Sequence, residues 1–129
     1  MATTPCHCGQ PEPFEACCAR YIQGLERAPT AEALMRSRYS AFVEMDEAYL
    51  RATWHRDTRP SRVRLDPEIR WLGLKIKRAE DGGMDDITGT VEFVARCKQG
   101  GRAQRLHEIS RFERIEGAWY YLDGKHLGR

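Results

Sequence analysis

Residues 87–112 read ITGTVEFVARCKQGGRAQRLHEISRF, and this stretch decides the fold. Ile87, Val91, Phe93 and Ala95 fall on one parity, with Thr88, Thr90, Glu92 and Arg96 on the other. After Gly100-Gly101 the alternation resumes: Leu106, Glu108, Ser110 and Phe112 against His107, Ile109 and Arg111. A period of two is the signature of a strand with one buried face, and the glycine pair marks a hairpin turn. Upstream, Leu72, Leu74 and Ile76 alternate with Trp71, Gly73 and Lys75, and Asp81-Gly82-Gly83 is a turn signal. Downstream, Glu116-Gly117 leads into the aromatic strand Trp119-Tyr120-Tyr121-Leu122, which ends before Asp123-Gly124. Consecutive strands joined by short turns pair antiparallel, so the spacing predicts a meander.

Before residue 68 the pattern is helical. A short helix is expected over Ala19–Leu25, and Glu26–Pro29 reads as a connection. Thr30 is placed to cap the next helix, and Glu32 complements its first turn. Ala31, Leu34, Met35, Ala41, Phe42 and Met45 then recur at helical spacing. At 100° per residue Arg38 falls near the middle of this apolar stripe, and Arg36 falls opposite. A guanidinium in an apolar stripe needs a carboxylate or carbonyl partner. The expectation is an Arg38–Glu108 or Arg38–Asp123 pair tying helix to sheet; the sharper alternative makes Arg38 an anion-binding group at a cavity mouth. Asp46 is placed to cap a further helix to about Thr53, with Tyr49 and Ala52 inward, and Trp54–Pro67 reads as a loop. Helices first and a meander afterwards make the chain α+β, with helices on one face of a curved sheet.

Four of the five cysteines, Cys6, Cys8, Cys17 and Cys18, lie within thirteen residues. Four thiols converging from one short loop complete the tetrahedral sulfur site of structural zinc. Disulfides fit less well, since adjacent Cα atoms sit about 3.8 Å apart, below the usual spacing of about 4.4–6.8 Å. Nothing near residues 2–5 resembles a secretory leader, and clustered cysteines in a cytoplasmic chain point to metal. His7, between two ligands, is expected to point outward. Cys97 stands alone and reads as a small buried hydrophobe.

At 129 residues the chain supports one real core with a small appendage. No apolar run approaches the roughly 18 residues of a membrane span, and a cytoplasmic location is expected. The net charge of +2 comes from charges of both signs, which gives no clustered basic footprint for nucleic acid.

CHCGQPEPFEACC at residues 6–18 resembles a SEC-C motif, with Gln10-Pro11 where the motif usually has Ser-Gly, and with Glu12 and Glu15 in place of lysines. LMRSRYSAF at 34–42, TWH at 53–55, LHEISRF at 106–112 and WYYLDG at 119–124 resemble the YchJ-like family of bacterial proteins. The resemblance implies an N-terminal zinc knuckle, residues 1–25, followed by a cone-like domain similar to nuclear transport factor two, residues 30–129. It also implies that Cys6, Cys8, Cys17 and Cys18 are the metal ligands. No settled activity comes with it.

A pocket between helices and sheet would draw on Arg38, Tyr39, Trp54, His55, Glu108, Ser110, Tyr121 and Asp123. The leading reading is a zinc-stabilised binding or adaptor protein, its knuckle docking a protein partner and its cone offering a pocket or surface. The alternative is a small-molecule enzyme using general acid–base residues in the cone. Four thiolates close a metal's coordination shell, so the metal is expected to stabilise rather than react. Chelation is then expected to disorder residues 1–24 while the cone stays folded, which amide dispersion in an NMR spectrum checks.

Overall fold

The computed structural model describes residues 4–128; Met1–Thr3 and Arg129, the outer ends of the knuckle and cone ranges above, lie outside the described residues. A single 3₁₀ turn at Phe14–Ala16 precedes three helices, α1 (Ala19–Ile22), α2 (Ala31–Val43) and α3 (Glu47–Ala52). Four strands follow, β1 (Arg70–Asp81), β2 (Thr88–Gln99), β3 (Arg102–Ile115) and β4 (Ala118–Gly128). They pair antiparallel in chain order, as a curved sheet with the helices on one face.

Helix α2 begins where Thr30 is extended and its hydroxyl accepts the Ala33 N–H at 3.1 Å. It ends earlier than its apolar spacing suggests. Met45 lies beyond the helix with φ of 59° and is exposed, because the chain has already turned towards α3. Asp46 caps α3 by accepting the Tyr49 N–H at 3.0 Å. Ala52, expected inward, faces solvent; the inward side of this short helix is taken by Leu50 and the half-buried Tyr49.

The core rows match the sequence parity on β2 and β3. Val91, Phe93, Ala95 and Phe112 pack with Trp119 against Ala31, Leu34, Met35 and Tyr39. Strand β1 departs from parity. A bulge between Trp71 and Gly73 turns both Trp71 and Leu74 onto the core and leaves Leu72 half exposed. A one-residue slip exchanges the faces of everything beyond it. Ile87 precedes the β2 ladder and is exposed, so it does not share the face of Val91.

The loop after α3 is stitched to the edge of β4. The Tyr121 N–H donates to Thr53 O at 2.8 Å, and the His55 N–H donates to Tyr121 O at 2.7 Å. These two bonds fix Trp54 beside Tyr121, with ring centroids 5.0 Å apart.

The β1–β2 hairpin seats the start of α2. Ala31 N–H donates to Gly82 O at 2.9 Å, and a Cβ on Gly82 would fall 2.7 Å from Ala31 Cβ. A Cβ on Gly89 would collide with the Gly82 backbone. Gly89→Ala is therefore expected to destabilise the fold by about 1–3 kcal/mol, the usual cost of overpacking, read from the midpoint of urea unfolding.

Candidate metal centre and cone pocket

The loop carrying Cys6 and Cys8 is closed by two backbone bonds. Gly9 N–H donates to Cys6 O at 3.1 Å, and Cys6 N–H donates to Glu12 O at 2.8 Å. Cys17 and Cys18 follow the 3₁₀ turn, with Cys18 capping α1. The four Sγ atoms lie within 4.8 Å of one another, all buried and none in a disulfide. Cys8 Sγ and Cys17 Sγ are 3.7 Å apart. Thiolates bound at about 2.3 Å around a tetrahedral divalent ion have sulfurs about 3.8 Å apart, so the donor set fits such an ion.

Thiols this close share protons. Cys8 is held down to about 5, chiefly by a hydrogen bond from Cys18, and Cys18 is raised by giving that bond. Burial lifts Cys17 to about 12. A bound dication reverses this by deprotonating its thiol ligands outright.

The cluster sits on α2. Fully buried Ser40 places its hydroxyl 3.7 Å from Cys6 Sγ. Arg36 Nη1 donates to Cys8 O at 2.7 Å, while its Nε donates to Glu32 at 3.0 Å. Gln10-Pro11 leaves this geometry intact. His7 points away from the sulfurs and bonds Glu44 at 2.7 Å.

Between α2 and the sheet lies a cavity of about 230 Å³. Six of the eight expected pocket residues line it: Arg38, Tyr39, Trp54, Glu108, Ser110 and Tyr121. The rest of its wall is apolar and includes Met35, Phe42, Trp71, Phe93 and Leu106. These are apolar core positions, Trp71 brought there by the β1 bulge, and so carry no polar signal in the sequence. His55 and Asp123 are turned elsewhere. His55 is buried under the loop, accepting the Asp57 N–H at Nδ1 and bonding Glu113 through Nε2 at 3.3 Å. Asp123 stands opposite Arg111 across β3–β4, which donates to it from Nε at 2.6 Å. That pairing holds the Asp123 carboxyl below its usual range.

The expected carboxylate partner of Arg38 is absent among the described residues. Nη1 donates instead to Leu50 O at 2.8 Å and Thr53 Oγ1 at 2.7 Å, at the C-terminal end of α3. The guanidinium carbon lies 4.6 Å from the Tyr121 ring centre and 5.1 Å from that of Trp54. Arg111 outcompetes Arg38 for Asp123 because it is the direct cross-strand neighbour. Glu108 is taken up within the sheet. Ser110 Oγ donates to it at 3.1 Å, and a Cβ on Gly124 would collide with its Oε1. Burial lowers Arg38 to about 10 and raises Tyr121 to about 12.

Comparison with known proteins places this geometry. The domain described as "YchJ, middle NTF2-like domain" matches residues 30–124. The chain belongs to the YchJ family. Among its YchJ relatives, a UPF0225 protein of Streptomyces coelicolor is 54% identical over 127 residues, covering 98% of this chain and 99% of that one. A UPF0225 protein of Chromobacterium violaceum is 53% identical, covering 96% and 94%. The solution structure of a SEC-C motif containing protein from Rhodopseudomonas palustris superposes with a TM-score of 0.84 at 30% identity, covering 97% of this chain and 100% of that one. A crystal structure of a SEC-C motif containing protein from Psychrobacter arcticus gives 0.75 at 29% identity, covering 100% and 85%. The chain thus pairs a SEC-C cysteine cluster able to hold a metal ion with an NTF2-like cone. Among the described residues, no helix is long and apolar enough to cross a membrane.

Sequence reasoning missed Ser40 and Thr53, whose roles depend on which helix covers them. Ser40→Ala is expected to weaken metal retention about tenfold, as loss of a group that hydrogen-bonds a ligand commonly does; competition against a chromophoric chelator measures it.

Proposed function

We propose that the chain is a zinc-stabilised binding protein whose working site is the cone pocket. The metal centre braces the helix that carries Arg38. The observation carrying this reading is the cavity itself: mostly apolar walls with Arg38, which makes no salt bridge among the described residues, and Glu108 as the charged groups of its lining. Ligand sites have this character, apolar surface with a few converging polar groups. Binding is favoured over acid–base catalysis by the fate of the candidate bases. Asp123 is engaged by Arg111, His55 lies under the loop, and Glu108 accepts from Ser110.

Zinc is the proposed ion because four buried sulfurs make a closed, soft, tetrahedral shell. Five free cysteines suit a reducing compartment, and we place the chain in the cytoplasm. Gln10–Glu12 and Glu15 form the surface proposed for a protein partner; Gln10 and Glu12 border a groove shared with Glu32 and Arg36 of α2, and Pro11, Glu12 and Glu15 are exposed.

Purification under reducing conditions with zinc supplied is expected to give one zinc per chain by native mass spectrometry; a metal-free product contradicts the structural-zinc role. Titration of the zinc-loaded chain with neutral indole is expected to give saturable ¹H–¹⁵N shifts at Phe93, Ala95, Leu106 and Tyr121. Ala95→Leu, which fills the cavity, is expected to remove them. The absence of saturable shifts in the unsubstituted chain would sink the pocket reading.

A further inference from the structure

We infer that the cone pocket recognises a small organic carboxylate, its acid group on the free edge of Arg38 and its ring-sized apolar body against the aromatic wall. This names the ligand class of the pocket proposed above and rests on that reading.

Arg38 is 4% exposed, yet among the described residues its partners are one carbonyl and one hydroxyl, both on Nη1. Its Nε and Nη2 make no hydrogen bond to a described residue. The enclosed, partnerless polar side-chain atoms are Arg51 Nε and Trp54 Nε1. Arg38 lines the cavity, and we place its unpaired Nε–Nη2 edge towards it. A guanidinium edge with two parallel N–H groups is the fork that grips a carboxylate through two bonds. Glu108 shares the lining but does not pair with Arg38, so a carboxylate on the free edge supplies the direct ion pair that the guanidinium lacks.

The walls set the rest of the ligand. A dry cavity of about 150 Å³ holds benzene, so 230 Å³ admits a ring with a short acid arm. Tyr121 and Trp54 hold the guanidinium at one side of the cavity. Glu108, the other charged residue of the lining, acts on Arg38 more weakly than burial does. Its carboxylate disfavours a dianion and favours a hydroxyl or amino group on the ligand body. A bare phosphate therefore fits less well than an aromatic acid.

The test uses the zinc-loaded chain without substitution. Calorimetry at neutral pH compares indole-3-acetate with indole-3-acetamide, which has nearly the same shape and no charge. The acid is expected to bind at least about tenfold more tightly, as two charge-assisted bonds require. The Arg38 Nε–H resonance is expected to move with the acid and stay in place with the amide. Arg38→Lys, which keeps the charge and loses the fork, is expected to lower the acid's affinity. Equal affinity for acid and amide overturns the inference while leaving pocket binding intact, whereas failure of indole, acid and amide alike overturns both. Inorganic phosphate binding as tightly as the acid also overturns it, because the apolar body would then contribute nothing.

Discussion

Helix α2 is covered on three sides, and this constraint organises the molecule. Leu34, Met35 and Tyr39 face the sheet, Ser37 meets Tyr49 of α3, and Ser40 meets the cysteine cluster. A helix with so little solvent face must satisfy every polar group it carries. Ser37 donates to Leu34 O at 2.7 Å and bonds Tyr49 at 2.6 Å, while Arg36 holds Cys8 O and Glu32. Arg38 is the exception, with two donors left for the cavity. The cysteine cluster and the pocket therefore address one helix from different sides.

The electrostatics of Arg38 follow from what surrounds it. The C-terminal end of a helix carries partial negative charge, so Leu50 O and the Thr53 hydroxyl offset part of the desolvation. Two aromatic faces add a further attraction of about 0.5–2 kcal/mol each when desolvated. These groups stabilise the cation without neutralising it. A folded value of about 10 still leaves the guanidinium charged at neutral pH. Deprotonation would begin only well above physiological pH, so the pocket's positive end is fixed over the working range.

Much of this was readable from residue order. The parity of residues 91–112 gave the core row and placed Glu108 and Ser110 on the face that lines the pocket. Thr30 and Asp46 announced their caps, and the cysteine spacing announced a cluster of four sulfurs able to hold an ion. Leu72 was misread because a bulge shifts the alternation by one residue; the in-strand Gly73 was the one local sign of it. The partner of Arg38 was misread for a different reason. Sequence gave it a face but not the residues opposite, and β3–β4 register awards Asp123 to Arg111 instead. Ser40 looked like an ordinary helix serine until the knuckle was folded over it.

The cysteine segment fits the zinc-stabilised reading proposed above because burial alone is small there. Beside the four cysteines, the apolar residues packed on the cluster are Phe14, Ile22 and Leu74, all only partly buried. Full burial of one such side chain is worth about 1.5–3 kcal/mol, and ordering a residue costs roughly 1–2 kcal/mol of backbone entropy. From Cys6 to Cys18 that cost exceeds the burial severalfold. A tetrahedral thiolate site supplies about 10–16 kcal/mol, which brings the balance close to even. The bonds from Arg36 to Cys8 O and from Ser40 to Cys6 Sγ then fix the segment's orientation on α2. In the zinc-stabilised reading proposed above, an ion joining the cysteines would set the position of the knuckle and seal the flank of α2 in the same event.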